Sequence, residues 1–96
     1  MIDRDTVLTN ALRHYGLKPQ VGKTIEELNE LCVELAHVLD GRGNLYNLAE
    51  ETADVLIMVD QMVRGFDLGE LVHTYDTQKI ARLNQRMEEA KHVHDV

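Results

Sequence analysis

The chain has 96 residues, one proline, one cysteine and a formal net charge of −7. A length of this order suits one domain, residues 1–96, and 44% apolar residues exclude a disordered chain. The acid excess argues against broad nucleic-acid backbone binding, which Lys and Arg drive. No apolar run approaches the ~20 residues that cross a membrane, and the opening MIDRDTVLTN lacks the apolar core of a secretory leader. The expectation is a cytoplasmic protein without a membrane partner. Cys32 has no partner within the chain and reads as a small buried hydrophobe in a reducing compartment.

Every strong segment has a helical period. Helix one is expected over about 3–15, with Val7, Leu8, Ala11, Leu12 and Tyr15 on one side. The stretch YGLKPQVGK then breaks it through Gly16, Pro19 and Gly22. Helix two is expected from Thr24, where T-x-x-E to Glu27 reads as a capping box, to about Leu39, where DGRGN stops it. Helix three starts near Asn44 or Asn47 and ends at RGFD; helix four runs from Asp67 to about Lys91. No period-2 alternation marks a strand and no fixed repeat occurs. Four helices with short connections predict an all-α, antiparallel four-helix bundle.

On a helical wheel, Ile25, Leu28, Leu31, Cys32, Leu35, Val38 and Leu39 give helix two a broad apolar face. Glu27, Glu30 and Glu34 form a stripe along its edge. On helix three, Leu48, Val55, Val59, Met62 and Val63 are the expected core face, with Glu51 and Asp54 one turn apart at its edge. The i, i+3 spacing puts both acids of each pair on the same side. Packed antiparallel, the two helices can bring Glu27, Glu30, Glu51 and Asp54 into one pocket. Four clustered carboxylates repel and take up protons unless a cation joins them, and oxygen-only ligands suit a hard ion such as Mg²⁺ or Mn²⁺. Acids in a first turn also favour the helix dipole, and charge at the edge of a buried face is common. It is the pairing of two such motifs on consecutive apolar helices that points to a metal.

Glu34-x-x-His37, Glu70-x-x-His73 and Glu89-x-x-His92 match the E-x-x-H spacing of di-iron bundles. Chance produces such matches among this many Glu and His residues, and helix four is polar for an inner wall. His14, His37 and His73 read as packed or partly exposed residues. Lys79, Arg82 and Arg86 recur at helical spacing and form a basic stripe suited to phosphate or to pairing with acids. Lys23 follows no Walker A pattern, and no G-x-G-x-x-G occurs. No nucleophile triad can be built.

The segments IEELNEL (25–31) and EETADVLIM (50–58), which together carry E-x-x-E and then E-x-x-D, resemble the MazG-like all-alpha nucleoside triphosphate pyrophosphohydrolases. ALRHYGLKPQVGK (11–23) and QKIARLNQR (78–86) resemble the entry segment and last helix of small members, so the likeness covers roughly residues 8–87. The resemblance implies a Mg²⁺-dependent enzyme that cleaves a (d)NTP between the α and β phosphates, giving (d)NMP and pyrophosphate. It also implies metal ligation and catalysis by Glu27, Glu30, Glu51 and Asp54. Lys79 would contact phosphate and Arg82 would help neutralise the leaving group, with Gln20 and Lys23 near the nucleotide. Aromatic content of 4% with no Trp leaves no evident base-stacking wall. The alternatives are a non-catalytic nucleotide- or metal-binding regulatory module and a di-iron carboxylate bundle. A homodimer or homotetramer is expected, both from the resemblance and because Val33, Ala36, Ala53 and Ile57 are apolar off the main stripes.

Overall fold

Gly16 alone separates the first two helices. Its φ of +91° closes the first helix through a bond from its N–H to the Leu12 carbonyl, at 2.9 Å, and the next helix begins at once. Pro19 falls in the first turn of that second helix, where its missing N–H would have had no partner. The computed structural model describes residues 1–94, with side chains to 91, as four α-helices: α1 Arg4–Tyr15, α2 Leu17–Leu39, α3 Leu45–Gly65 and α4 Gly69–His94. No strand occurs among the described residues. The chain divides into two compact units, Met1–Phe66 and Asp67–Val96.

The all-α class is as expected, and three details of the element boundaries are not. Helix two starts seven residues before Thr24, because neither Pro19 in a first turn nor Gly22 stops it. Thr24 therefore caps nothing; its hydroxyl donates to the Gln20 carbonyl at 2.7 Å, and Glu27 sits mid-helix. Asp67 does not begin helix four either. It adopts φ +54°, a left-handed conformation that Asp tolerates better than most residues, and α4 starts at Gly69. The start of α3 is Asn44, one of the two expected caps: its Oδ1 accepts from the backbone N–H of Tyr46 at 2.9 Å and of Asn47 at 3.2 Å.

Within the first unit α2 and α3 pack antiparallel. Gln20 near the start of α2 bonds Gln61 near the end of α3, and Glu27 meets Glu51 and Asp54 further along. α1 lies against both, tied to α3 by the exposed network Arg4–Asp60–Arg64–Asp5. Leu12 and Leu17 close over Gly65, where a Cβ would come within 2.6 Å of Leu17 Cδ1.

The seam between α2 and α3 is more polar than the sequence suggests. Its buried residues are Val55 and Met58 together with Gln20, Thr24, Glu27 and Gln61, with Leu8 buried on α1. The broad apolar face assigned to α2 as core is not buried: Ile25, Leu28, Cys32, Leu35, Val38 and Leu39 are all exposed and Leu31 is half-buried. On α3, Val55 is buried, Leu48, Met62 and Val63 are half-buried and Val59 is exposed. Glu27, expected at the edge of the core, faces the partner helix together with Glu51 and Asp54 instead, and the apolar stripe is rotated outward. Val33, Ala36, Ala53 and Ile57 are exposed as well. α4 is the one helix of its unit, so Leu71, Val72, Tyr75, Ile80, Leu83 and Met87 have no core of that unit to enter.

The Asn44 cap gives a direct test of the α2–α3 connection. Asn44→Ala leaves two backbone N–H groups without an acceptor and should cost about 1 kcal/mol in urea unfolding, whereas Asn44→Asp should keep most of that stability. Equal loss in both variants would mean that the cap does not hold the start of α3.

Candidate metal centre

The antiparallel register decides which acids meet. Moving along α2 by one turn is matched by moving back one turn on α3, so Gln20–Gln61 continues to Glu27 opposite Asp54 and Glu51. One carboxylate oxygen from each of Glu27, Glu51 and Asp54 lies within 4.8 Å of the others. Glu27 is 6% exposed, and Glu51 and Asp54 are half-buried. Glu30, the fourth acid expected here, is exposed and falls outside this three-carboxylate set. Its charge still reaches the cluster, being one of the influences that favour a proton on Glu51.

A carboxylate so far inside must be compensated. Glu27 Oε1 pairs with Lys23 Nζ at 3.1 Å, and Lys23 also approaches Glu26 at 3.7 Å. Glu27 Oε2 and Glu51 Oε1 are buried with no donor. With both groups ionised, two oxygens face each other's charge unrelieved. A proton on Glu51 relieves this, and its pKa is accordingly pushed up to about 7, first by the hydrogen bond it then shares with Glu27, then by burial and by the Glu27 charge. The same bond, followed by Lys23, holds Glu27 below the ordinary carboxylate range. Lys23 is pushed up by its bond to Glu27. The proton of the pair resides on Glu51.

A divalent cation is the other way to satisfy those oxygens. Three carboxylates, two of them with buried lone pairs and no donor, form a hard, anionic, oxygen-only donor set, which fits Mg²⁺ or Mn²⁺. No described histidine belongs to the set. His37 instead lies 4.0 Å from Glu34 on its own helix, and the side chain of His92 lies outside the described residues.

Two depressions flank the cluster. A cleft of about 480 Å³ is lined by Tyr15, Pro19, Gln20, Lys23, Glu26 and Met58, and a groove of about 180 Å³ by Glu34, Asn47, Glu50 and Glu51. Lys23 therefore borders the cleft while its ammonium pairs with Glu27. Gln20 borders the same cleft, but its amide nitrogen is committed to Gln61 Oε1 at 2.8 Å, and Gln61 in turn donates to Met58 Sδ at 3.6 Å. Gln61 and Asn47 were not visible as site residues in the sequence; only the register between α2 and α3 reveals them. Lys79, Arg82 and Arg86 lie on α4, in the other unit. Protein-family models, curated proteins and solved structures were each compared with the chain, and none of them matches.

The Glu51 proton gives a prediction with a definite sign. An ordinary glutamate loses its proton near pH 4.5, folded Glu51 near pH 7, so between these values the folded state holds the proton more firmly. In EDTA, stability should therefore fall as pH rises from about 4.5 to 7 and then level off. The lowered Glu27 acts below this window. Glu51→Gln should flatten the slope, melting above wild type at pH 8 and close to it at pH 5. Added Mg²⁺ should stabilise wild type at pH 8, by about 2.7 kcal/mol at a hundredfold excess over Kd, and the variant much less. Melting curves at both pH values, with and without Mg²⁺, check this; a wild-type metal response in the variant rules Glu51 out as a ligand.

Proposed function

We propose that the chain is a Mg²⁺-dependent nucleoside triphosphate pyrophosphohydrolase, with Mn²⁺ as an alternative ion. The observation that carries this reading is the buried Glu27, whose Oε2 has no donor while Glu51 and Asp54 bring carboxylate oxygens within 4.8 Å. Such a set is stable at neutral pH only with a proton or a cation in it, and a triphosphate is a ligand that arrives with divalent cations. The resemblance of residues 25–31 and 50–58 to the MazG-like enzymes supports the same reading and extends it to a MazG-like helical bundle.

Glu27, Glu51 and Asp54 would hold the ion, with Glu30 adding negative charge beside them. When bound, the ion supplies Lewis acidity toward phosphoryl oxygens and screens the charge of the triphosphate. Glu51 would hold the ion in its deprotonated form. Lys23, paired with Glu27 and half exposed, would have room to turn its ammonium toward phosphate. Water adds to the α-phosphorus, the bond from that phosphorus to the α–β bridging oxygen breaks, and pyrophosphate leaves with the nucleoside monophosphate as the other product. For Lys79 and Arg82 on α4, the resemblance alone implies a phosphate-binding role of the kind that cationic donors fill. The cleft beside Lys23 has the volume of a small-ligand site.

A panel of dNTPs and NTPs with Mg²⁺, assayed for pyrophosphate, tests the reading. Pyrophosphate and monophosphate should appear in equal amounts, EDTA should stop the reaction, and Glu27→Gln or Asp54→Asn should lower kcat on the order of 10²-fold or more. Lys79→Ala should lower kcat/KM by about tenfold, the loss of one charged phosphate contact. Metal-dependent nucleotide binding with no pyrophosphate from any of the panel would instead make the chain a regulatory module, and iron binding with visible absorption would make it a di-iron protein.

A further inference from the structure

A thioether fixes the orientation of two buried amides. Its sulfur accepts but cannot donate, so the bond of 3.6 Å from Gln61 Nε2 to Met58 Sδ settles which end of the Gln61 amide faces Met58. The Gln61 carbonyl then faces Gln20 and accepts from Gln20 Nε2 at 2.8 Å. Gln20 is 8% exposed. With its nitrogen held in the seam, its planar amide carries Oε1 the other way, toward the cleft of about 480 Å³ that Gln20 lines. That oxygen accepts from no donor among the described residues, yet it is not one of the fully buried oxygens that lack a partner, so it is open to a ligand. The charged groups at the cleft are the Glu26 carboxylate, a second acceptor, and the Lys23 ammonium, which reaches Glu27 Oε1 at 3.1 Å. Tyr15, Pro19 and Met58 supply apolar surface.

We infer that the cleft reads a base and selects guanine, with Gln20 Oε1 taking the ring N1–H and Glu26 the exocyclic 2-amine. The inference rests on the nucleotide reading of the neighbouring carboxylates. Two acceptors ask for two adjacent donors, and among the common bases only the Watson–Crick edge of guanine presents them. Adenine and cytosine bring a ring-nitrogen lone pair to Gln20, and uracil brings a carbonyl to Glu26. Each sets acceptor against acceptor and leaves a protein oxygen unpaired, which is the strongest ground on which a polar site rejects a wrong ligand. Gln20 and Glu27 are two turns apart on α2, on the order of 10 Å. That leaves the length of a sugar between a base on Gln20 and phosphates at Lys23 and the carboxylates. Gln61 touches no ligand in this arrangement; with the Met58 sulfur it holds the polarity of Gln20, and so is a positioning residue.

Titration calorimetry of the full chain in excess Mg²⁺ with GMP, IMP and AMP tests this. IMP lacks only the 2-amine, and AMP lacks it and carries a lone pair at N1. GMP should bind at least about tenfold tighter than IMP, and AMP should bind weakest. Glu26→Ala, at an exposed position, should abolish most of the GMP-to-IMP ratio. Met58→Leu roughly keeps volume but removes the acceptor that orients the two amides. Both can then turn end for end, and the GMP-to-AMP ratio should fall by about tenfold while the GMP-to-IMP ratio stays. A Met58 that only packs would weaken all three ligands equally. If either variant fails to fold, the wild-type ratios still decide. Equal affinities in wild type overturn the inference, as do ratios unchanged in both variants, or no binding of any of the three at millimolar concentration. GMP-selective binding without pyrophosphate from any triphosphate retains the inference and removes the hydrolase reading. Pyrophosphate released alike from triphosphates of every base does the reverse.

Discussion

The carboxylate of Glu27, 6% exposed in the seam between α2 and α3, is the constraint around which the first unit is arranged. An ionised group at that depth is tolerated only where its surroundings answer its charge. Here Lys23 answers one oxygen, and the other is left to whatever shares the space with Glu51 and Asp54. In the metal-free chain that is a proton. The seam then continues as a run of mutually bonded polar groups: Thr24 on the Gln20 carbonyl, Gln20 on Gln61, Gln61 on Met58. These bonds fix the register of the two helices, because a slip of one turn would strand buried amides without partners. Register, in turn, is what places Asp54 and Glu51 opposite Glu27.

A polar seam displaces the apolar residues. Helices α2 and α3 have strong apolar stripes, and in a lone pair of helices those stripes would ordinarily face one another. With the acids taking that position, the stripes turn about a quarter of the way round. The cost of exposing them is large on the usual area scale, ~25 cal/mol per Å². The exposed apolar faces of α2 and α3 are thus a consequence of the buried site, and both follow from where the acids fall on the helix.

Much of this was legible in the sequence, and the misses share a cause. The 3.6-residue period gave four helices, and the ends of α1 and α2 came out within a residue or two. The i, i+3 spacing correctly put Glu51 and Asp54 on one side, and their meeting with Glu27 followed from assuming antiparallel packing. What failed were inferences from local signals that tertiary context overrides. Thr24-x-x-Glu27 has the letters of a capping box, yet the helix had already begun beyond Pro19. The apolar face of α2 was read as core because a wheel shows which residues share a side but not which side meets a neighbour. Cys32 was misjudged for the same reason. Glu30 satisfied the spacing but sits about 60° further from the seam than Glu27, enough to leave it exposed. Gln61 carries no motif and becomes visible only once the register is known, and Asn47 read only as a possible start of α3.

The three roles of α2 are separated by angle, which makes its substitutions interpretable. Gln20, Thr24 and Glu27 point into the seam and set register and charge; Ile25, Leu28, Cys32 and Leu35 lie on the exposed apolar face; Lys23 and Glu26 lie at the lip of the cleft. A change at Glu27 therefore acts on the ion, the Glu51 proton and the Lys23 pair at once, and its effects at these places will not add independently. A change at Leu28 touches none of those groups, although it lies next to Glu27 in the chain. Neighbours in sequence are about 100° apart on a helix, and that angle is what allows one 23-residue element to carry a buried carboxylate on one side and an apolar surface on the adjoining one.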